Sequence, residues 1–163
     1  MIKYAFFDVD GTISSPCFRV NDRMVIGTDD DSWARYCREM GEDGYRWCRP
    51  IPEVGAYAER LKEKGARLFL LTAASSEEEI AAKWKFAQTN FPGLFEKLYA
   101  VRHDAEKCPF LLQKAEEFGV KPEECELVED TFRILLETIV KGIRSTHVTT
   151  ILTGLTDQLY AEQ

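Results

Sequence analysis

Short apolar runs alternate along this chain with longer stretches whose apolar residues recur every three or four positions. The first run, Tyr4 to Phe7, is apolar at consecutive positions, as expected of a strand buried on both faces of a parallel sheet. Val54, Tyr57, Ala58 and Leu61 fall on one face of a helix predicted over residues 53–64, which starts after Pro52 and stops at Gly65. The alternation continues with a strand over 67–72, a helix over 77–89 opened by Ser75 and Ser76, a short strand over 98–101 and a helix over 107–118 ending at Gly119. A strand over 125–129, a helix over 132–141 ending at Gly142 and a strand over 144–149 complete the series. Strands separated by helices in this way predict a parallel sheet with crossover connections.

Residues 14–50 break the rhythm. Phe18 to Val20 and Met24 to Ile26 flank the turn-forming Asn21-Asp22 and predict a hairpin-like flap. Trp33, Tyr36, Cys37 and Met40 are spaced for the apolar face of one helix. The expected organisation is one domain over residues 1–163 with this small insertion inside it, since 163 residues suffice for one core.

The net charge of −7 argues against a nucleic-acid partner. No apolar stretch approaches the roughly 20 residues that span a bilayer, and no secretory pattern precedes the first strand. Cys17, Cys37, Cys48, Cys108 and Cys125 are scattered, without a Cys-x-x-Cys spacing. That disfavours structural zinc and makes a reducing cytoplasm the expected setting. Cys108 reads as a small buried residue rather than a reactive thiol.

Asp8 and Asp10 end the first strand, where open α/β sheets place their ligands, and Gly11 lets the backbone turn sharply beside them. Two acids there suit a hard cation such as Mg²⁺, and one can act as a nucleophile on phosphorus while the other moves a proton. An Asp-Gly pair by itself is ordinary turn chemistry. Further along, Thr72 closes the second core strand, Lys107 opens a helix, and Glu129-Asp130 closes another strand. Asp8-Val9-Asp10-Gly11-Thr12, Thr72, Lys107 and Glu129-Asp130, in that order, resemble the four motifs of the haloacid dehalogenase (HAD) superfamily of phosphatases and phosphotransferases.

The resemblance implies a three-layer, Rossmann-like α/β fold with a central parallel sheet, helices on both faces and a small cap inserted after the first strand. It implies a Mg²⁺-dependent phosphatase in which Asp8 is the nucleophile and Asp10 the general acid and base. Asp8, the backbone carbonyl of Asp10 and Asp130 would hold the ion, with Glu129 as a second ligand or a holder of metal-bound water. Thr72, the Ala73 N–H and Lys107 would hold the phosphoryl oxygens. Many relatives carry an Asp four residues after the metal-binding one, where this chain has Ile134. The acid at Asp10 favours phosphate chemistry over dehalogenation.

All cations of the insertion are Arg, which suits bidentate contact with phosphate, so Arg46 and Arg49 are candidate substrate-binding residues for a small phosphorylated metabolite. Tyr45 and Trp47 are candidates for stacking on a base or sugar. The competing reading packs the aromatics onto the core and pairs the Arg residues with nearby acids. So small a cap leaves the site open or covered by a second subunit, which makes a homo-oligomer possible. Three rival functions fit parts of the pattern: a phosphotransferase, a non-catalytic Mg²⁺-binding module, and a receiver domain. The receiver would need its phosphorylated Asp on the middle strand, which ends instead at Thr72. His103 reads as a surface loop residue.

Overall fold

The computed structural model describes residues 1–159; the last four positions of the expected 1–163 domain lie outside the described residues. Its centre is a five-stranded parallel sheet built from β1 (Tyr4–Phe7), β6 (Arg67–Ala73), β7 (Lys97–Val101), β8 (Cys125–Glu129) and β9 (Arg144–His147). Their order is β7-β6-β1-β8-β9, with β1 in the middle. Phe7 pairs with Leu70 on one side and Val128 on the other, so the end of β1 is framed by the ends of β6 and β8. The connections leave β1 in one direction towards β6 and β7 and in the other towards β8 and β9. This reversal opens a crevice at the carboxyl end of β1.

Side-chain alternation assigns the layers. Ala5 and Phe7 face one core, with Leu68, Leu70 and Val128, against α2 (Pro52–Glu63), α3 (Glu77–Asn90) and α6 (Val148–Leu152). Phe6 faces the opposite core, with Phe69, Leu71 and Leu127, against α4 (Lys107–Glu117) and α5 (Phe132–Val140). Burial on both faces is why β1 and the core of β6, Leu68 to Leu71, are continuous apolar runs rather than alternating ones. The fold class is therefore a three-layer, Rossmann-like α/β sandwich, with an insertion after the first strand.

The insertion is closed at its neck by β2 (Ser14–Ser15) and β5 (Arg49–Pro50), which pair antiparallel. Beyond the neck are a hairpin, β3 (Phe18–Val20) and β4 (Arg23–Val25), and the helix α1 (Asp30–Met40). Asn21 and Asp22 both take positive φ, 49° and 61°, as a two-residue hairpin turn demands. That turn pairs Val20 with Arg23 and so starts the second strand one residue before the expected position. Asp29 caps α1 by accepting from the Ser32 N–H at 2.9 Å. Phe18 packs edge-on against Trp33, Tyr36 and Tyr45 and fixes the hairpin to the helix.

The last expected strand, 144–149, is shorter. β9 ends at His147, whose Nδ1 accepts from the Thr149 N–H at 3.2 Å and turns the chain into α6. The short helix α7 (Leu155–Leu159) follows. Among the described residues no helix is long and apolar enough to cross a membrane.

Candidate active site

The carboxyl ends of β1, β6 and β8, the start of α4 and the inner wall of the insertion enclose a cavity of about 390 Å³. Asp8, Asp10, Thr72, Ala73, Lys107, Glu129 and Asp130 all line it, although they are scattered over most of the sequence. Asp8 is buried directly after β1, and its N–H donates to the Val128 carbonyl at 3.0 Å, extending the strand pairing by one residue. Gly11 has φ +75°, and a Cβ there would stand 2.1 Å from Asp130 Oδ2. This position therefore needs glycine twice over, for its left-handed backbone and for room beside Asp130.

Lys107 is the first residue of α4 and is 2% exposed. Its ammonium donates to Asp8 Oδ1 at 2.8 Å and to Glu129 Oε2 at 2.7 Å, and lies 3.2 Å from Asp104 Oδ1. Burial pulls the Lys107 ammonium towards neutrality, but Asp8 and Glu129 outweigh it and hold its pKa well above the ordinary lysine value. Glu129 Oε1 accepts the N–H groups of Asp130 and Thr131, each at 3.2 Å. Burial pushes Asp8 up to about 7 against the pull of Lys107. Glu129 is likewise raised to about 7, mainly by burial, with Asp130 adding to the effect. One carboxylate oxygen each from Asp8, Glu129 and Asp130 lie within 4.8 Å of one another. This set is all hard oxygen, three carboxylates beside the single ammonium of Lys107, which fits a divalent cation such as Mg²⁺.

A second lysine, which the motif reading did not single out, holds the other side of the site. Lys83, on α3, is 1% exposed. Its ammonium lies 2.9 Å from Asp10 Oδ2, 2.9 Å from Glu79 Oε1, 2.9 Å from Thr72 Oγ1 and 2.6 Å from the Ala73 carbonyl. Burial lowers its pKa, but Asp10 and Glu79 raise it further, so Lys83 stays charged. Tyr45 donates its hydroxyl to both Asp10 oxygens, at 2.8 and 3.0 Å. Asp10 is thus gripped by Lys83 from α3 and by Tyr45 from the insertion. The available signal was the pair Glu79 and Lys83 at i, i+4, on the same helical stripe as the buried Ala82, Phe86 and Ala87.

Other candidates fall elsewhere. Arg46 and Arg49 line a separate groove of about 280 Å³ between the insertion and α3, with Lys85 and Phe86. Lys85 bonds Asp43 at 2.9 Å and pins this turn to α3, and Arg46 lies over the Trp47 ring at 4.9 Å. Neither Arg lines the cavity, whereas Tyr45 does, with its hydroxyl on Asp10. Ile134 is buried in the α5 core, so it contributes packing at the position where many relatives carry an acid. His103 is exposed and off the cavity. His147, unassigned by the motif reading, places its Nε2 2.9 Å from the Asp130 carbonyl. Its Nδ1 is an acceptor towards the Thr149 N–H, so Nε2 is the donor and anchors the Asp130 turn.

No family model matches the sequence, and no curated protein matches it. Solved structures do match. A HAD-superfamily hydrolase of subfamily IA from Geobacter sulfurreducens superposes with a TM-score of 0.60 at 17% identity, over 89% of this chain and 88% of that one. A predicted phosphoglycolate phosphatase from Haemophilus somnus gives 0.60 at 16% identity, over 99% and 98%. A HAD family enzyme from Bacteroides thetaiotaomicron, solved with magnesium and inorganic phosphate, gives 0.52 at 14% identity, over 90% and 94%. With its motif residues gathered in one cavity at the end of β1, the chain has the fold of the HAD-superfamily hydrolases.

Proposed function

We propose that the protein is a Mg²⁺-dependent phosphomonoester hydrolase that carries the phosphoryl group on Asp8. The observation behind this reading is the buried Asp8 carboxylate, bonded to Lys107 and grouped with Glu129 and Asp130 at the base of a cavity. Asp8, Asp130 and the Asp10 carbonyl would hold the ion. Glu129, already engaged by Lys107 and two amides, would set Lys107 and Asp130 in place around it. When bound, Mg²⁺ supplies charge that offsets the repulsion between carboxylate and phosphate dianion. The structural likeness to an enzyme solved with magnesium and phosphate supports the same reading.

The chain's own residues do the rest. An Asp8 oxygen bonds to phosphorus as the ester P–O bond breaks, and the departing alkoxide takes a proton from Asp10. Asp10 then removes a proton from water, which attacks the same phosphorus, breaks the Asp8–phosphate bond and releases inorganic phosphate. Lys107 balances the charge on Asp8 throughout, and Thr72 with the Ala73 N–H would bind phosphoryl oxygens. The Asp10 side chain is 38% exposed, which favours water over a second alcohol as the final acceptor. A cavity of about 390 Å³ suits a small phosphorylated substrate, within the range of about 300–1,000 Å³ usual for such sites. Residues 14–50 would act as the small cap of this one domain.

The test is phosphate release from p-nitrophenyl phosphate with and without Mg²⁺, for the wild type and Asp8→Asn. The expected result is release that needs the ion and falls by more than roughly a thousandfold in the variant. Release that survives either change would refute the assignment.

A further inference from the structure

The substrate-facing half of the cavity differs from its base. Its wall comes from the insertion, where Pro16, Phe18, Ile26, Trp33 and Tyr45 supply an apolar or aromatic surface, interrupted by Gly27 and the uncharged polar Thr28. Ile26 borders the cavity and is 82% exposed, so most of its apolar side chain is left uncovered at the cavity's edge. Six carboxylates line the same cavity, from Asp8, Asp10, Glu79, Asp104, Glu129 and Asp130, against two cations, Lys83 and Lys107. Both cations are committed. Lys83 is held by Asp10 and Glu79, and Lys107 by Asp8, Glu129 and Asp104. Among the described residues no further Lys or Arg lines the cavity, and Arg46 and Arg49 lie in the other groove.

From this arrangement we infer that the cavity selects phosphomonoesters of an uncharged alcohol with an apolar or aromatic portion, and rejects those bearing a second anionic group. The inference rests on the phosphomonoesterase reading and names its substrate class. A divalent ion and Lys107 serve the phosphate itself. A second anion on the alcohol would then stand among Asp10, Glu79 and Asp104 with no free cation, and partly desolvated like charge costs far more there than in water. An uncharged ring or alkyl group would instead cover Trp33 and Ile26 and remove their apolar surface from water. The selection is thus both attractive and repulsive.

The experiment compares phenyl phosphate, ethyl phosphate and phosphoglycolate, the last differing from ethyl phosphate by a carboxylate in place of the methyl group. Binding to Asp8→Asn with Mg²⁺ is measured by calorimetry, and turnover on the wild type. Phenyl phosphate should bind best, and phosphoglycolate should be weaker than ethyl phosphate by about a hundredfold, as expected of like-charge juxtaposition. Trp33→Ala should narrow the ratio of phenyl to ethyl phosphate by roughly tenfold, as for a lost contact in an apolar pocket. Trp33 packs on Phe18, so Ile26→Lys, at an exposed position, is the safer second variant; it adds the missing cation and should improve phosphoglycolate binding relative to ethyl phosphate. Equal or preferred binding of phosphoglycolate by the cavity with Ile26 intact would overturn the inference. Selective binding without turnover of any ester by the wild type would sustain it and overturn the phosphatase reading instead.

Discussion

Lys83 gives one buried ammonium to four oxygens, two of them on Glu79 and Asp10. Replacing it by Met removes the tie between α3 and Asp10, the proposed general acid. For ethyl phosphate, whose alkoxide needs a proton to leave, kcat should fall about a hundredfold, while p-nitrophenyl phosphate, whose phenolate leaves unaided, should suffer far less. A uniform loss on both esters would show that Lys83 serves folding alone. The variant also leaves Glu79 buried without its cation, at a cost of about 3 kcal/mol, which thermal melting would register. Gly11 makes a second prediction. Gly11→Ala puts a methyl group 2.1 Å from Asp130 Oδ2 and must displace that carboxylate, so Mg²⁺ affinity measured by calorimetry should drop by at least about tenfold. Unaltered affinity would mean that Asp130 does not meet the ion. At this scale the acids of the motifs were legible because each follows an apolar run. Lys83 and Tyr45 were not, because a lysine in a helix and a tyrosine in an insertion are ordinary until the fold buries them.

Among elements, β8 carries structure on one end and chemistry on the other. Glu126 is buried in its middle, and Tyr57 from α2 and Thr146 from β9 both donate to Glu126 Oε1 at 2.6 Å. Burial raises the Glu126 pKa, and Arg144 only partly opposes it. A carboxyl whose folded pKa lies above its unfolded value contributes stability below about 4.5, the ordinary value, and loses it as pH rises through the folded value. Glu126→Gln should therefore flatten the decline of melting temperature with rising pH relative to the wild type. Parallel curves for the two proteins would refute this. At the end of β9, His147 both caps α6 and holds the Asp130 carbonyl. His147→Ala should cost about 1 kcal/mol as a lost cap and weaken Mg²⁺ binding, whereas a cap with no link to the site would change only the melting temperature. The expected strand ran past His147 because Val148 and Thr149 favour strands locally. The side-chain cap at His147, which depends on the neighbouring β8 turn, overrides that preference.

For the whole molecule, the site is an assembly of distant segments. Lys107 and Asp8 are 99 residues apart in the chain and 2.8 Å apart in space, brought together by the pairing of β1 with β6 and β8 and the docking of α4 on β6 and α5. Mg²⁺ that binds only this assembled form must stabilise it by mass action, by about 2.7 kcal/mol at a hundred times its dissociation constant. Saturating Mg²⁺ should raise the melting temperature of the wild type and leave that of Asp130→Asn nearly unchanged. An equal rise in both would place the ion elsewhere.

The sequence by itself determined the layered α/β fold and the order of its main elements, because strand and helix periods and their glycine stops are local properties of the chain. It offered the motif acids, Thr72 and Lys107 as candidates through their resemblance to four ordered motifs, and the fold brings them to one cavity. Only the tertiary structure decided that Arg46 and Arg49 face another groove, that Tyr45 and Lys83 grip Asp10, and that the insertion's wall of the cavity is largely apolar, with Lys83 and Lys107 the only cations lining the cavity among the described residues. Those outcomes depend on how a 37-residue insertion (14–50) folds back on α3 and β1, and side-chain direction across such contacts is set by packing between segments that no local pattern encodes.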